Sequence, residues 1–334
     1  MAARANLITD VAGIRVGNAD DPRLASGVTV ALFDEPAVAA AFTPGGGPAL
    51  RDTALLEPEM TVQRVDAIVL SGGSAFGLDA ASGVQAWLRE QGRGLKVGSA
   101  TVPIVPQAAC FDLANGGDKD WGRFPPYREM AHAACEAAGL VFALGTAGGG
   151  YGATTVDLKG GLGSTSAVTA SGSTVGALVV VNALGSVVVG GGPHFWAGPW
   201  EVGDEFGGLG PKTSRSAGDL ALRWKGAPAR GTTIALVVTD ARLTVGQTKR
   251  LATMASAGMA RALRLTFAPF DGDIVFGAAT GRSVVEAEAG LTELGATAAD
   301  CLSRAIARGV YAAEPLHSQP GHESWRNLFA RTRV

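Results

Sequence analysis

The sequence predicts an α/β fold built on a buried, layered sheet, and three observations carry that prediction. Val175 to Val181 and Thr232 to Asp240 are apolar at consecutive positions rather than alternate ones, as in strands covered on both faces. Val65 to Leu70, Ser71 to Gly77 and Leu78 to Gln91 read as strand, glycine-rich turn and helix, the helix through Leu78, Ala81, Val84, Trp87 and Leu88. Strands and helices interleave along the chain, yet the turns after strands lack the dinucleotide fingerprint, so a doubly wound sheet is not required.

In chain order, Gly27 to Phe33 is a predicted strand, followed by a turn-rich loop from Thr43 to Pro48 around three consecutive glycines. Pro125 to Ala138 has helical spacing, and Val187 to Val189 reads as a short buried strand. Gly190 to Arg230 is rich in Gly, Pro and Trp and has no sustained period; loops this long usually have a function. It gives way sharply to the strand that begins at Thr232. Thr244 to Arg264 is predicted as one long helix, Ile274 to Ala278 as a strand and Ala296 to Ala312 as a helix.

Composition removes several function classes. Twenty-eight basic against thirty acidic residues leave a net charge of -2, which offers no electrostatic footprint for nucleic acid or an anionic membrane. No apolar run reaches the roughly 18 residues of a membrane span. The segment Met1 to Asp10 lacks the continuous apolar stretch of a secretory signal, so a cytoplasmic location is expected. Cys110, Cys135 and Cys301 are odd in number and widely spaced, with neither a disulfide framework nor zinc-ligand spacing. No metal or cofactor is expected.

Common catalytic designs are also missing. Gly72-Gly-Ser-Ala-Phe76 has Phe where a nucleophile elbow has its last glycine, and the P-loop string and the helical His-Glu-x-x-His zinc motif are absent. Gly148, Gly150 and Ala153 fit a dinucleotide pattern only superficially, because Tyr151 to Lys159 has no helical period.

What remains is a hydroxyl activated without histidine. A threonine that becomes the first residue of a chain has its own α-amine, with a pKa of about 7.7 to 8.0, as base. Thr232 is placed for this, because Gly231 before it has no Cβ and can present its carbonyl to the threonine hydroxyl. On spacing alone, Gly-Thr-Thr reads first as an ordinary strand start. Asp271-Gly272-Asp273 reads first as a turn signal, although both side chains could face one site as a carboxylate pair with shared protons. Asn182, inside an apolar strand, is either satisfied by backbone or donates to an oxyanion.

Six strings occur together in order: Ser71-Gly-Gly-Ser-Ala-Phe-Gly-Leu78, Val102-Pro-Ile-Val-Pro106, Lys159-Gly-Gly-Leu-Gly163, Val175-Gly-Ala-Leu-Val-Val-Val-Asn182, Gly231-Thr-Thr-Ile234 and Phe270-Asp-Gly-Asp273. They resemble the self-processing L-aminopeptidase/D-esterase family, which includes β-peptidyl aminopeptidases, nylon-oligomer hydrolases and a pantetheine hydrolase. The resemblance spans about Asn6 to Ala313. It implies a four-layer αββα sandwich of the N-terminal-nucleophile-like aminopeptidase and ornithine acetyltransferase type. It further implies one domain over residues 1–334, cut into chains 1–231 and 232–334, and a homo-oligomer of four or more subunits. By the same resemblance Thr232 is the nucleophile, Asn182 the oxyanion donor, and Asp271 and Asp273 assist the hydroxyl or its amine. The implied substrate is a small-molecule amide, peptide or ester.

The chain departs from the family in places. Val156-Asp157 stands where the family often carries a lysine, so Asp157 and nearby Lys159 are weaker candidates. Where the β-peptidase branch holds the substrate amine with an acidic residue, this region offers Gln107 and Asp112. Residues 314–334, with Trp325, Leu328 and Phe329 at helical spacing, extend beyond the family core and either cap that core or dock on a neighbouring subunit. Two rivals stand beside hydrolysis: acetyl transfer as in ornithine acetyltransferase, whose Ala-Thr-Met string is absent, and an uncut relative that only binds a small ligand.

Overall fold

A computed structural model describes residues 4–226, 231–284 and 287–330 of the chain. The strands are β1 (Ile14–Asp21), β2 (Ser26–Phe42), β3 (Ala49–Arg51), β4 (Arg64–Ser71), β5 (Leu95–Val97), β6 (Ala100–Val102), β7 (Gln107–Ala109), β8 (Gly161–Val168), β9 (Thr174–Asn182), β10 (Thr232–Arg242) and β11 (Ile274–Val284). The helices are α1 (Ser74–Gly77), α2 (Ala80–Glu90), α3 (Tyr127–Glu136), α4 (Val245–Ala255), α5 (Ala257–Ala262), α6 (Ala287–Tyr311) and α7 (Trp325–Phe329). Nine strands join one mixed sheet in the order β3-β7-β4-β2-β11-β10-β9-β8, with β1 on β2, while β5 and β6 form a separate hairpin.

The sheet folds over on itself through β2. Val28 to Leu32 pair with β4, the register shifts between Leu32 and Ala37, and Val38 to Phe42 then pair with β11. Side-chain alternation turns this bend into layers. In β10, Ile234, Leu236 and Val238 meet Ala31, Phe33, Ile68 and Leu70 of the other half of the sheet. The intervening Ala235 and Val237 pack instead with Leu251, Met259, Leu302 and Ile306 of α4, α5 and α6. On the far side, Val28, Val30, Ala67 and Val69 pack with Val84, Leu88, Ala131 and Ala134 of α2 and α3. The result is helices, half-sheet, half-sheet and helices: the αββα sandwich. Strands covered on both faces have no polar side, which is why the sequence shows unbroken apolar runs.

Three boundaries differ from the sequence expectation. Val187 to Val189 is a turn rather than a strand: the Ser186 hydroxyl donates to Val188 O and accepts from Val188 N–H, curling a run of high β propensity. The expected single helix over Thr244 to Arg264 is broken into α4 and α5 at Ser256, whose hydroxyl bonds back to Thr253 O. Helix α6 extends N-terminal to Ala296 despite Gly295, because the Met254 side chain fills the space a Cβ would take there. Residues 314–330 return over their own chain, with Trp325 against Phe195 and Tyr311 and its indole N–H donating to Pro193 O. Residues 1–3 of the N-terminal segment, 227–230 of the aperiodic loop and 331–334 of the C-terminal extension lie outside the described residues.

Glycines in β8 set how closely α6 approaches. A Cβ on Gly163 would lie 1.9 Å from Ala305 O, whereas one on Gly246 in α4 meets nothing within 4 Å. Gly163→Ala is therefore expected to lower unfolding stability by about 3 kcal/mol, since a backbone carbonyl cannot move aside. Gly246→Ala should be neutral or raise it by up to about 1 kcal/mol. Denaturant titration of both variants checks the contrast.

Candidate active site

Pairing of β10 determines which residues meet at its first position. Thr232 pairs with Asn182 in antiparallel register at the end of β9, and opposed residues of such a pair share one face. On the other side Gly231 bridges Asp271 in parallel, just ahead of β11. The end of β9 and the start of β11 thus converge on the start of β10, and Thr232, Asn182, Asp271 and Asp273 gather there, all buried.

The Gly231 carbonyl is the centre of this cluster. It accepts from the Thr232 hydroxyl at 2.5 Å and from the Gly272 N–H at 3.1 Å. Glycine is required at 231, because a Cβ would lie 2.2 Å from Leu184 N. Gly272 is equally confined, its would-be Cβ lying 2.9 Å from the Thr232 hydroxyl oxygen. The Gly45-Gly46-Gly47 loop clamps the acidic turn from outside: Gly45 N–H donates to Asp273 O and Gly47 N–H to Asp271 O.

Asp271 and Asp273 differ in role. Asp273 accepts from Thr233 N–H at 2.7 Å and Phe267 N–H at 3.0 Å, which suits a carboxylate. Burial raises the pKa of both carboxyls, that of Asp271 also through the neighbouring Asp273, so the pair shares a proton, and the backbone N–H groups on Asp273 favour placing it on Asp271. The Asp271 Oδ1 atom is buried and has no hydrogen-bond partner. Such an atom usually marks strain or a missing ligand.

Asn182 is fully oriented. Its Oδ1 accepts from Thr154 N–H at 3.0 Å and from Lys225 Nζ at 3.3 Å, and its Nδ2 donates to Phe111 O at 2.9 Å. An amide nitrogen carries two hydrogens, so one donor remains. Lys225, half-buried, also donates to Thr154 O at 3.0 Å, and desolvation lowers its pKa to about 8. Lys225 was not among the site candidates of the sequence. It stands 43 residues from Asn182, inside the aperiodic loop, where no pattern distinguishes one lysine from another.

A cavity of about 310 Å³ opens beside this cluster, lined by Phe111, Asn115, Thr154, Trp224, Lys225 and His322 among others. Three of those residues, Phe111, Thr154 and Lys225, are the partners of the Asn182 amide.

The weaker candidates lie outside the Thr232 cluster. Lys159 is fully buried and donates to the carbonyls of Gly150, Ala153 and Gly160, which uses all its donors; burial lowers its pKa to about 7. Asp157 pairs with Arg223 and accepts from Ser186. Gln107 bridges Ser71, Gly77 and Ala81 under the first turn of α2. Asp112 accepts from Ser26 and Gly73 N–H.

Known proteins give matches along nearly the whole chain. The profile of peptidase family S58 matches residues 6–324. An uncharacterized aminopeptidase of Mycobacterium tuberculosis is 42% identical, covering 97% of this chain and 98% of that protein. One of Mycobacterium leprae is 41% identical over 96% and 94%. Among solved structures, a Burkholderia beta-aminopeptidase superposes with a TM-score of 0.71 at 21% identity, covering 98% of this chain and 92% of that one. The L-aminopeptidase D-Ala-esterase/amidase of Ochrobactrum anthropi, described as a variant of the Ntn hydrolase fold, gives 0.69 at 21% identity over 96% and 89%. Among the described residues no group of metal-ligating side chains occurs, and no helix is long and apolar enough to cross a membrane.

The raised Asp271 predicts a pH effect on stability. A carboxyl whose pKa is higher folded than unfolded contributes stability that is complete below the unfolded value and is lost as pH rises through the folded one. With the Gly231–Thr232 bond intact, as in a Thr232→Ala background, the protein should therefore lose thermal stability between about pH 5 and pH 9, and adding Asp271→Asn should reduce that loss. Parallel melting curves across pH test this; equal slopes would contradict the assignment of the proton to Asp271.

Proposed function

The chain belongs to peptidase family S58, and from that premise we propose that it is a self-processing hydrolase of amide and ester bonds whose nucleophile is Thr232. One observation carries the proposal: the Thr232 hydroxyl lies 2.5 Å from the carbonyl oxygen of the peptide bond it would cut, while Gly272 N–H holds the same oxygen. Attack by Oγ1 on the Gly231 carbonyl carbon puts negative charge on that oxygen, where the backbone donor stabilises it. The C–N bond to Thr232 then breaks, the nitrogen takes the hydroxyl proton, and an ester joins Gly231 to Oγ1. Water cleaves the ester, leaving a Gly231 carboxylate and a free Thr232 amine.

The new amine is the base for the second reaction. It removes the Oγ1 proton as the hydroxyl attacks a substrate carbonyl, and passes a proton to the departing amine or alcohol. Water then hydrolyses the acyl-threonine. The remaining Asn182 N–H suits the oxyanion of this cycle, on the same strand face as Thr232. The unpartnered Asp271 Oδ1 and the carboxylate of Asp273 suit an ammonium that does not exist before the cut. Three buried cysteines without a disulfide fit a reducing compartment such as the cytoplasm.

Denaturing mass spectrometry is the direct test. The 33.7 kDa chain should resolve into pieces of about 23 and about 10 kDa, the smaller beginning at Thr232. Thr232→Ala should stay intact, folded and inactive, whereas Thr232→Ser should still cut. A wild-type chain that stays whole on long incubation would overturn the proposal. Asn182→Ala in the cut enzyme should lower kcat by about 100-fold or more through loss of the oxyanion donor, read with a chromogenic anilide.

A further inference from the structure

The cavity beside Asn182 has a one-sided charge pattern. It carries the Lys225 amine and the His322 imidazole, and none of its lining residues is a carboxylate. The carboxylates nearest in sequence to the lining residues are engaged elsewhere. Asp112, next to Phe111, is bound to Ser26 and Gly73; Asp157, next to Val156, is paired with Arg223; Glu323, next to His322, accepts from Asn327. Lys225 itself has no carboxylate within ion-pair distance among the described residues, and its three acceptors are all neutral oxygens. A half-buried ammonium without a counter-ion is poorly stabilised, and a ligand anion would stabilise it.

The cavity is built rather than incidental. His322 comes from residues 314–330, which are fixed by Gln319 Nε2 to Gly152 O, by Lys159 N–H to Glu323 O and by the Trp325 indole to Pro193 O. Ala114 and Trp224 are exposed, so the space is open to solvent. Its volume suits a small acyl group. Three of its lining residues, Phe111, Thr154 and Lys225, bond to the Asn182 amide, so the cavity adjoins the oxyanion donor and is the space beside an acyl group held on Thr232.

Resting on the proposed hydrolase, we propose that this cavity receives the acyl side of the substrate and selects acyl groups that bear a carboxylate, held by Lys225 and His322. An ammonium there would meet two basic groups and no carboxylate in the cavity wall, which costs it the solvation it leaves behind.

The test compares anilides matched in length and opposite in charge on cut enzyme: glutaryl- against 4-aminobutyryl-p-nitroanilide, and L-glutamyl- against L-2,4-diaminobutyryl-p-nitroanilide. The acidic member of each pair that is turned over should be preferred in kcat/KM by at least about 10-fold. Lys225→Met should bring that ratio to within about threefold of unity even if overall rates fall, and Lys225→Arg should restore it. A loss of structure alone would lower both members together and leave the ratio unchanged. Cut enzyme that prefers the basic member, treats the two alike or turns over no acidic anilide overturns the inference while leaving the nucleophile in place. A chain found intact by mass spectrometry overturns both.

Discussion

The structure depends on the seat of one carbonyl. Gly231 O lies between the Thr232 hydroxyl and the Gly272 N–H, and neither donor is free to move. Thr232 is fixed by pairing of β10 to β9, Gly272 by the acidic turn that enters β11, and that turn by the glycine loop after β2. Strands β2, β9, β10 and β11 are adjacent in the sheet, and their alternate side chains also build the core between its two halves. Stability of the sandwich and geometry of the site are consequently one constraint. A one-residue slip of β10 would place its inter-sheet side chains on the helix side and remove Thr232 from the carbonyl together.

Buried cations in this chain are stabilised in different ways, and the comparison isolates Lys225. Arg304 pairs with Glu205 at 2.6 and 2.9 Å and also reaches Ser166 O, tying α6 to the loop that follows β9. Lys159 spends its donors on three carbonyls of one short loop and acts as a clasp for it. Neither Arg304 nor Lys159 lines the cavity beside Asn182. Lys225 also has three oxygen acceptors, Thr154 O, Asn182 O and the Asn182 amide oxygen, but it lines a cavity, so a ligand can approach its charge. It both orients Asn182 and presents charge to whatever enters.

Much of this was legible in the sequence, for identifiable reasons. The doubly apolar runs of β9 and β10 and the strand-turn-helix into α2 express burial on two faces, which composition records directly. The cluster of Thr232, Asn182, Asp271 and Asp273 was anticipated as separate strings, and the register of three strands brings them together. Val187 to Val189 misled because a single serine hydroxyl bends three β-branched residues, a tertiary effect that propensity does not carry. Lys225 and His322 were not singled out because each lies in an aperiodic segment and meets the site only through loop paths that no period encodes.

On the proposed mechanism, one geometry has to serve two reactions, and that explains why the chain must be cut before it can work. In the uncut chain the Thr232 nitrogen is an amide without basicity, and the Gly231 carbonyl occupies the place that a substrate carbonyl needs beside Oγ1. The first reaction removes both obstacles in one event, creating the amine and freeing the space. It also creates a charge where the uncut structure has an unpartnered acceptor, Asp271 Oδ1. On this mechanism the buried carboxyl pair, poorly satisfied before the cut, gains a counter-ion after it, and the amine supplies the partner that Asp271 Oδ1 lacks.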